Sequence, residues 1–148
     1  MRIAYVLAAS VAALGLSGCG AARASDPLTG TTWMLLGIDS MAPNEQPSTI
    51  IDDPSKYTVT FGADGQAAFQ LDCNRGSGTW NAQAAAADSG SLTFGPIGMT
   101  KMLCAQPSAD TKVAAALGEV RSYLISDGKL HLSMQADSGI MNWEPQKP

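Results

Sequence analysis

Hydrophobic and polar residues alternate over Lys56-Tyr57-Thr58-Val59-Thr60-Phe61, which places Tyr57, Val59 and Phe61 on one face. The alternation resumes at Ala67, Phe69 and Leu71, beyond Gly62-Ala63-Asp64-Gly65. A period of two marks a half-buried strand, and a glycine-containing turn between two such runs predicts a β-hairpin. Upstream, residues 31–38 carry Trp33, Leu35, Leu36 and Ile38 and predict a first strand, followed by a long irregular connection over 39–55 that holds Pro43, Pro47 and Pro54. Downstream, the return strand of the hairpin runs into 72–78, whose Asn and two glycines predict a bend. Residues 79–81 predict the strand that leaves it, and the alanine-rich 82–90 a surface connection.

A short strand over 91–94 is broken by Gly95-Pro96-Ile97-Gly98. A helix is predicted from Ser108, with that serine as N-cap, Asp110 in the first turn, and Val113, Ala116, Leu117 and Val120 at helical spacing on one face. Strands over 122–125 and Lys129–Met134 flank the turn Ser126-Asp127-Gly128, and 140–143 forms the last. About eight short strands with one late helix predict an α+β fold, mainly β: a curled antiparallel sheet or barrel-like form covered by one helix.

The first residues break this pattern. MRIAYVLAASVAALGLSGCG has an early Arg2, an apolar stretch too short for a spanning helix, and small residues before Cys19, which together predict a secretory signal peptide. Leu16-Ser17-Gly18-Cys19 matches the bacterial lipobox, so Cys19 is the expected lipidation site. Acyl chains contribute about 0.8 kcal/mol per buried CH₂, and two or three of them anchor a protein stably. The expected organisation is a lipoprotein signal peptide over 1–18, a tether over 19–27 and one domain over 28–145. Gly20 follows the cysteine where an inner-membrane retention signal would place Asp, which favours the outer membrane, facing the periplasm.

Charge narrows the partners. A net charge of −4 at pH 7 disfavours nucleic-acid binding. The expected partners are the membrane, through the lipid anchor, and an envelope protein of unknown identity.

With Cys19 assigned to lipid, Cys73 and Cys104 remain in a compartment where disulfides persist, and the two are expected to pair. In the loop-entropy model such a bridge contributes roughly 3 to 4 kcal/mol. Two other chemistries compete with the bridge. A thiolate served by His131, the only histidine, is disfavoured because Leu130, Leu132 and Met134 occupy the opposite face of that strand, leaving His131 towards solvent. A soft-metal site built from Cys73, Cys104, Met99 or Met102 competes with the simpler role of methionine as core filler. The expectation is no metal and no cofactor.

The motif Cys73-Asn74-Arg75-Gly76-x-Gly78, followed by Met99-Thr100-Lys101-Met102-Leu103-Cys104 and a helix, resembles the META domain family, including its HslJ-like bacterial lipoproteins. The segment 28–33 and the Phe61-Gly62-x-Asp64-Gly65 turn are similar to that family's opening strand and hairpin. The resemblance implies a small β-rich domain with one helix, a link to heat shock and envelope stress, and no catalytic residues. It places Cys73, Asn74, Arg75, Gly76, Gly78, Thr100, Lys101, Met102 and Cys104 at signature positions. Leu103 stands where the family often has a second Met.

Two roles stay open for that cluster. It either shapes a bend beside the disulfide, or brings Asn74, Arg75, Thr100 and Lys101 together as a polar patch. The expected function is a non-enzymatic, lipid-anchored periplasmic protein acting in stress tolerance through protein or surface contacts. The alternative is a binder of small apolar ligands, with Tyr57, Phe61, Phe69 and Trp143 lining a pocket; unfilled inward positions would support it, and a filled barrel the contact protein.

Overall fold

The computed structural model describes residues 26–41, 43–44 and 47–147. The signal peptide, Cys19 and most of the tether lie outside the described residues.

Ten strands occur among the described residues: β1 (Thr32–Ser40), β2 (Ser48–Ile50), β3 (Tyr57–Phe61), β4 (Gln66–Leu71), β5 (Asn74–Ala84), β6 (Ser89–Phe94), β7 (Gly98–Met99), β8 (Val120–Ser126), β9 (Lys129–Met134) and β10 (Gly139–Pro145). The helix α1 (Asp110–Gly118) lies between β7 and β8. Eight strands form a closed antiparallel barrel in the order β1-β3-β4-β5-β6-β8-β9-β10, and pairing of β10 with β1 seals it. Closure removes the free edges that a sheet of this width would otherwise expose. The short β2 adds to β1, and β7 adds to β5.

The alternating patterns decide which side chains point inward. Tyr57, Val59 and Phe61 from β3 meet Ala67, Phe69 and Leu71 from β4, paired in register as Tyr57↔Leu71, Val59↔Phe69 and Phe61↔Ala67. On the far wall, Tyr123, Leu130, Leu132, Met141 and Trp143 complete the core. Phe61 stacks on Phe94 at 5.9 Å and meets Trp80 edge-on at 5.1 Å, while Phe69 meets Phe94 edge-on at 5.3 Å. The helix buries Val113, Ala116 and Leu117 into the same core. It covers the end of the barrel where β1 and β9 finish and β10 begins.

Several expectations need correction. The bend expected over 72–78 is confined to Asp72 and Cys73; Asn74 already belongs to β5, which runs without a break to Ala84. Asp72 takes the left-handed conformation (φ 57°), leaving Asn74 free to be a strand residue. The glycines serve close approach rather than bending. A Cβ at Gly78 would stand 3.0 Å from the Pro96 carbonyl oxygen, and one at Gly76 would stand 3.3 Å from the Ile97 side chain. The surface connection over 82–90 is instead a hairpin, with Ala84 facing Gly90. The long connection after the first strand is interrupted by β2 and a 3₁₀ turn at Pro54–Lys56.

The helix begins at Asp110 with Ala109 at the cap position, two residues beyond the expected N-cap. The Ser108 hydroxyl still accepts from the Asp110 N–H, at 3.4 Å. Tyr57 across the fold accepts from the Ala109 N–H at 2.9 Å, so a tertiary contact does part of what a local cap would do. Val120 has left the helix and opens β8.

Candidate functional site

The start of β5 places Asn74 inside the wall, and its neighbours Cys73 and Arg75 outside. This follows from the period of two: once Asn74 points inward, the residues either side must point outward. Asn74 is 1 % exposed and is the buried polar residue of the described fold. Burying an amide without partners costs about 1 to 3 kcal/mol, so its hydrogen bonds matter. Its Oδ1 accepts from the Thr100 hydroxyl at 2.9 Å and from the Met102 backbone N–H at 2.8 Å. Its Nδ2 donates to the Met102 carbonyl at 3.1 Å, to Asp110 Oδ2 at 3.0 Å and, more weakly, to Cys104 Sγ at 3.4 Å.

One side chain therefore ties three pieces together: β5, the 100–104 loop and the first residue of α1. The ladder reinforces the tie, since Thr100 Oγ1 accepts from the Arg75 N–H and the Thr100 N–H donates to the Arg75 carbonyl. The Cys73–Cys104 disulfide closes the same junction, across a separation of 31 positions and with a Cα–Cα distance of 5.5 Å. Cys104 is 5 % exposed, whereas Cys73 faces solvent. The Cys73 N–H also points at Cys104 Sγ, at 3.3 Å.

Above this junction the loop presents an apolar tip. Leu103 is 97 % exposed and Met102 is 62 % exposed. With Met99, Lys101, Asn74 and Asp110 they line an open groove of about 410 Å³ against α1. Arg75 and Met99 line a shallower depression on the other side, beside Gly76 and Gly98. Lys101 and Arg75 are exposed, and among the described residues neither has an ion-pair partner; Lys56 pairs with Asp72 at 3.7 Å.

The structure thus brings together Cys73, Asn74, Arg75, Gly76, Thr100, Lys101, Met102 and Cys104, and sets Gly78 two residues further along β5 against Pro96. Neither role holds as expected: the bend lies at Asp72 and Cys73, and Asn74 is buried in a structural junction, so the polar patch reduces to Arg75, Thr100 and Lys101 beside the exposed Met102 and Leu103. Asp110 and Leu103 were missed as members. Local pattern marks Asp110 only as a first-turn acid, and nothing in it signals that a residue so far along the chain reaches Asn74.

Of the other candidate chemistries, the soft-metal set Cys73, Cys104, Met99 and Met102 lies at this junction with its two cysteine sulfurs joined in the disulfide, and His131 is engaged on β9. His131 Nδ1 is 2.7 Å from Asn142 Oδ1, and Asn142 in turn donates to Asp39 at 2.8 Å, a chain across β9, β10 and β1. Among the described residues, no group of three or more His, Cys, Asp or Glu is arranged to hold a metal ion. Tyr57, Phe61, Phe69 and Trp143 are packed core residues; Trp143 is fully buried and the Tyr57 hydroxyl is engaged at the helix start. These four inward positions are filled by packed side chains.

A family model described as the META domain matches residues 26–146. No curated protein matches by sequence. Among solved structures, an NMR structure of a protein from Burkholderia xenovorans is similar with a TM-score of 0.65 and 18% identity, covering 82% of this chain and 85% of that one. A crystal structure of a DUF4847 family protein from Bacteroides vulgatus is similar with a TM-score of 0.54 and 16% identity, covering 82% and 96%. A further NMR structure has a TM-score of 0.52 and 21% identity, covering 79% and 90%. At these identities the likeness is one of fold.

Proposed function

The chain belongs to the META domain family, and from that membership we propose that it is a lipid-anchored periplasmic protein. It acts without catalysis in envelope stress or heat-shock tolerance, by contact with an envelope protein. The META domain is not a known enzyme family. The anchor is Cys19, and the tether to Pro27 lets the barrel stand off the membrane, which is the outer one.

The observation that carries this reading is the loop tip. A leucine 97 % exposed beside a methionine 62 % exposed gains no burial within the fold, yet Asn74 ties down the backbone on one side of it and the disulfide on the other. Preorganisation of an apolar contact reduces the ordering cost of association. Methionine adds an adaptable surface, and Arg75 and Lys101 supply unpaired donors at the rim.

The test is crosslinking in the native envelope followed by affinity capture, comparing the wild type with a Met102→Asp/Leu103→Asp variant. Loss of a specific crosslinked partner in the variant, with unchanged circular dichroism, supports the contact face. An identical crosslinking pattern refutes it. Separately, Cys19→Ala should release the protein from the membrane fraction; continued membrane association refutes the anchor.

A further inference from the structure

We propose that the Cys73–Cys104 bridge is a thiol-exchange site, at which an external dithiol attacks Cys73 and Cys104 is the leaving sulfur. This is independent of the contact face. The argument begins with access. Cys73 is solvent-facing on the outside of the turn before β5, while Cys104 is 5 % exposed beneath the loop. A nucleophile from outside therefore meets one sulfur and not the other, and which sulfur is attacked decides the course of exchange.

The leaving side is prepared. One N–H donor, the Cys73 backbone at 3.3 Å, points at Cys104 Sγ and stabilises negative charge as it develops there; Asn74 Nδ2 lies 3.4 Å away, with its two protons already directed at the Met102 carbonyl and Asp110. Asp110 Oδ2 lies 3.8 Å from the same sulfur and opposes that charge. The backbone donor promotes departure and the carboxylate restrains it. In the first step the attacking thiolate forms a new S–S bond to Cys73 as the Cys73–Cys104 bond breaks. The electron pair goes to Cys104, which takes a proton from water. In the second step the other thiol of the dithiol, as thiolate, displaces Cys73 Sγ. The dithiol is then oxidised to its own disulfide, and both cysteines are reduced.

Retention follows from Asn74. Its bonds to Thr100 and Met102 hold the loop against β5 without help from the bridge, so a released Cys104 stays beside Cys73 and the exchange reverses.

The test uses the purified, oxidised full-length chain with glutathione, stopped at short times by excess N-ethylmaleimide so that Cys104 is capped before it re-forms the bridge, then peptide mapping. Expected is a glutathione adduct on Cys73 with Cys104 alkylated, in protein whose near-ultraviolet circular dichroism is native. An adduct on Cys104 overturns the proposal, as does a bridge that persists intact until denaturant is added. Dithiothreitol should reduce the pair, and its removal in air should restore the bridge. Asp110→Asn should accelerate glutathione exchange at pH 7 about tenfold, from loss of the opposing charge; an unchanged or slower rate removes the asymmetry on which the leaving-group argument stands.

Discussion

Asn74 grips Met102 by both halves of its side-chain amide, accepting from the Met102 N–H at 2.8 Å and donating to the Met102 carbonyl at 3.1 Å. The side chain thereby completes a ladder step that a neighbouring strand would otherwise supply. β7 stops at Met99, and Asn74 continues its pairing by proxy to the loop that carries Cys104.

Removing that grip should be expensive. Asn74→Ala leaves the Met102 N–H without a partner and removes one donor from the Asp110 carboxylate, which keeps the Ser108 hydroxyl at 3.2 Å, with an expected loss of about 2 to 4 kcal/mol. Urea denaturation checks this. A loss under about 1 kcal/mol would mean that water replaces the amide without penalty.

The bridge should act chiefly on the unfolded chain. Cys73→Ser/Cys104→Ser should lose about 2 to 4 kcal/mol while keeping native circular dichroism, because Asn74 still holds the loop. Intact mass of the purified, air-oxidised protein should show no free thiol at these two positions; two free thiols there would sink the cross-link.

Tyr123 offers a pH test. Its hydroxyl is buried and has no hydrogen-bond partner among the described residues, and burial first, then the charges of Asp26 and Asp88, raise its pKa above the ordinary 10.0. The folded pKa thus exceeds the unfolded one. Its stabilising contribution is intact below about pH 10 and is lost as pH rises through the folded value, because the unfolded chain ionises first. Tyr123→Phe should flatten the decline in stability above pH 10. At pH 7 it should be neutral or stabilising by up to about 1 kcal/mol, since an unpaired hydroxyl is removed. A destabilised variant at pH 7 would show that the hydroxyl has a partner in solution.

Gly78→Ala should cost about 1 to 3 kcal/mol by forcing Pro96 away from β5. Gly128→Ala should also destabilise the protein, for a different reason: its φ of 71° strains any side chain, although the space is open. Comparing the thermal unfolding of the two variants separates crowding from backbone strain. No loss at Gly78 would mean that 96–98 moves freely.

Much of this was legible in the chain. The 57–71 hairpin, Lys129–Met134 and the apolar face of the helix were marked by periods of two and of 3.6, which burial against a core imposes locally. Sequence also paired Cys73 with Cys104, by elimination and redox compartment. What it misread was 72–78, because Asn and Gly favour turns when considered alone. There the tertiary fold overrides propensity, giving Asn74 buried partners and using the bare faces of Gly76 and Gly78 to admit 96–99.

By itself, then, the sequence determined eight of the strands in outline, Val113, Ala116 and Leu117 of the helix face, the bridge and the family, all properties set by local periodicity or by residue type. Tertiary structure alone decided that the sheet closes through β10 and β1, that Asp110 reaches Asn74, and that Leu103 is left in the open. Such contacts join residues far apart along the chain. Their geometry depends on where every intervening strand has packed, and no local pattern records it.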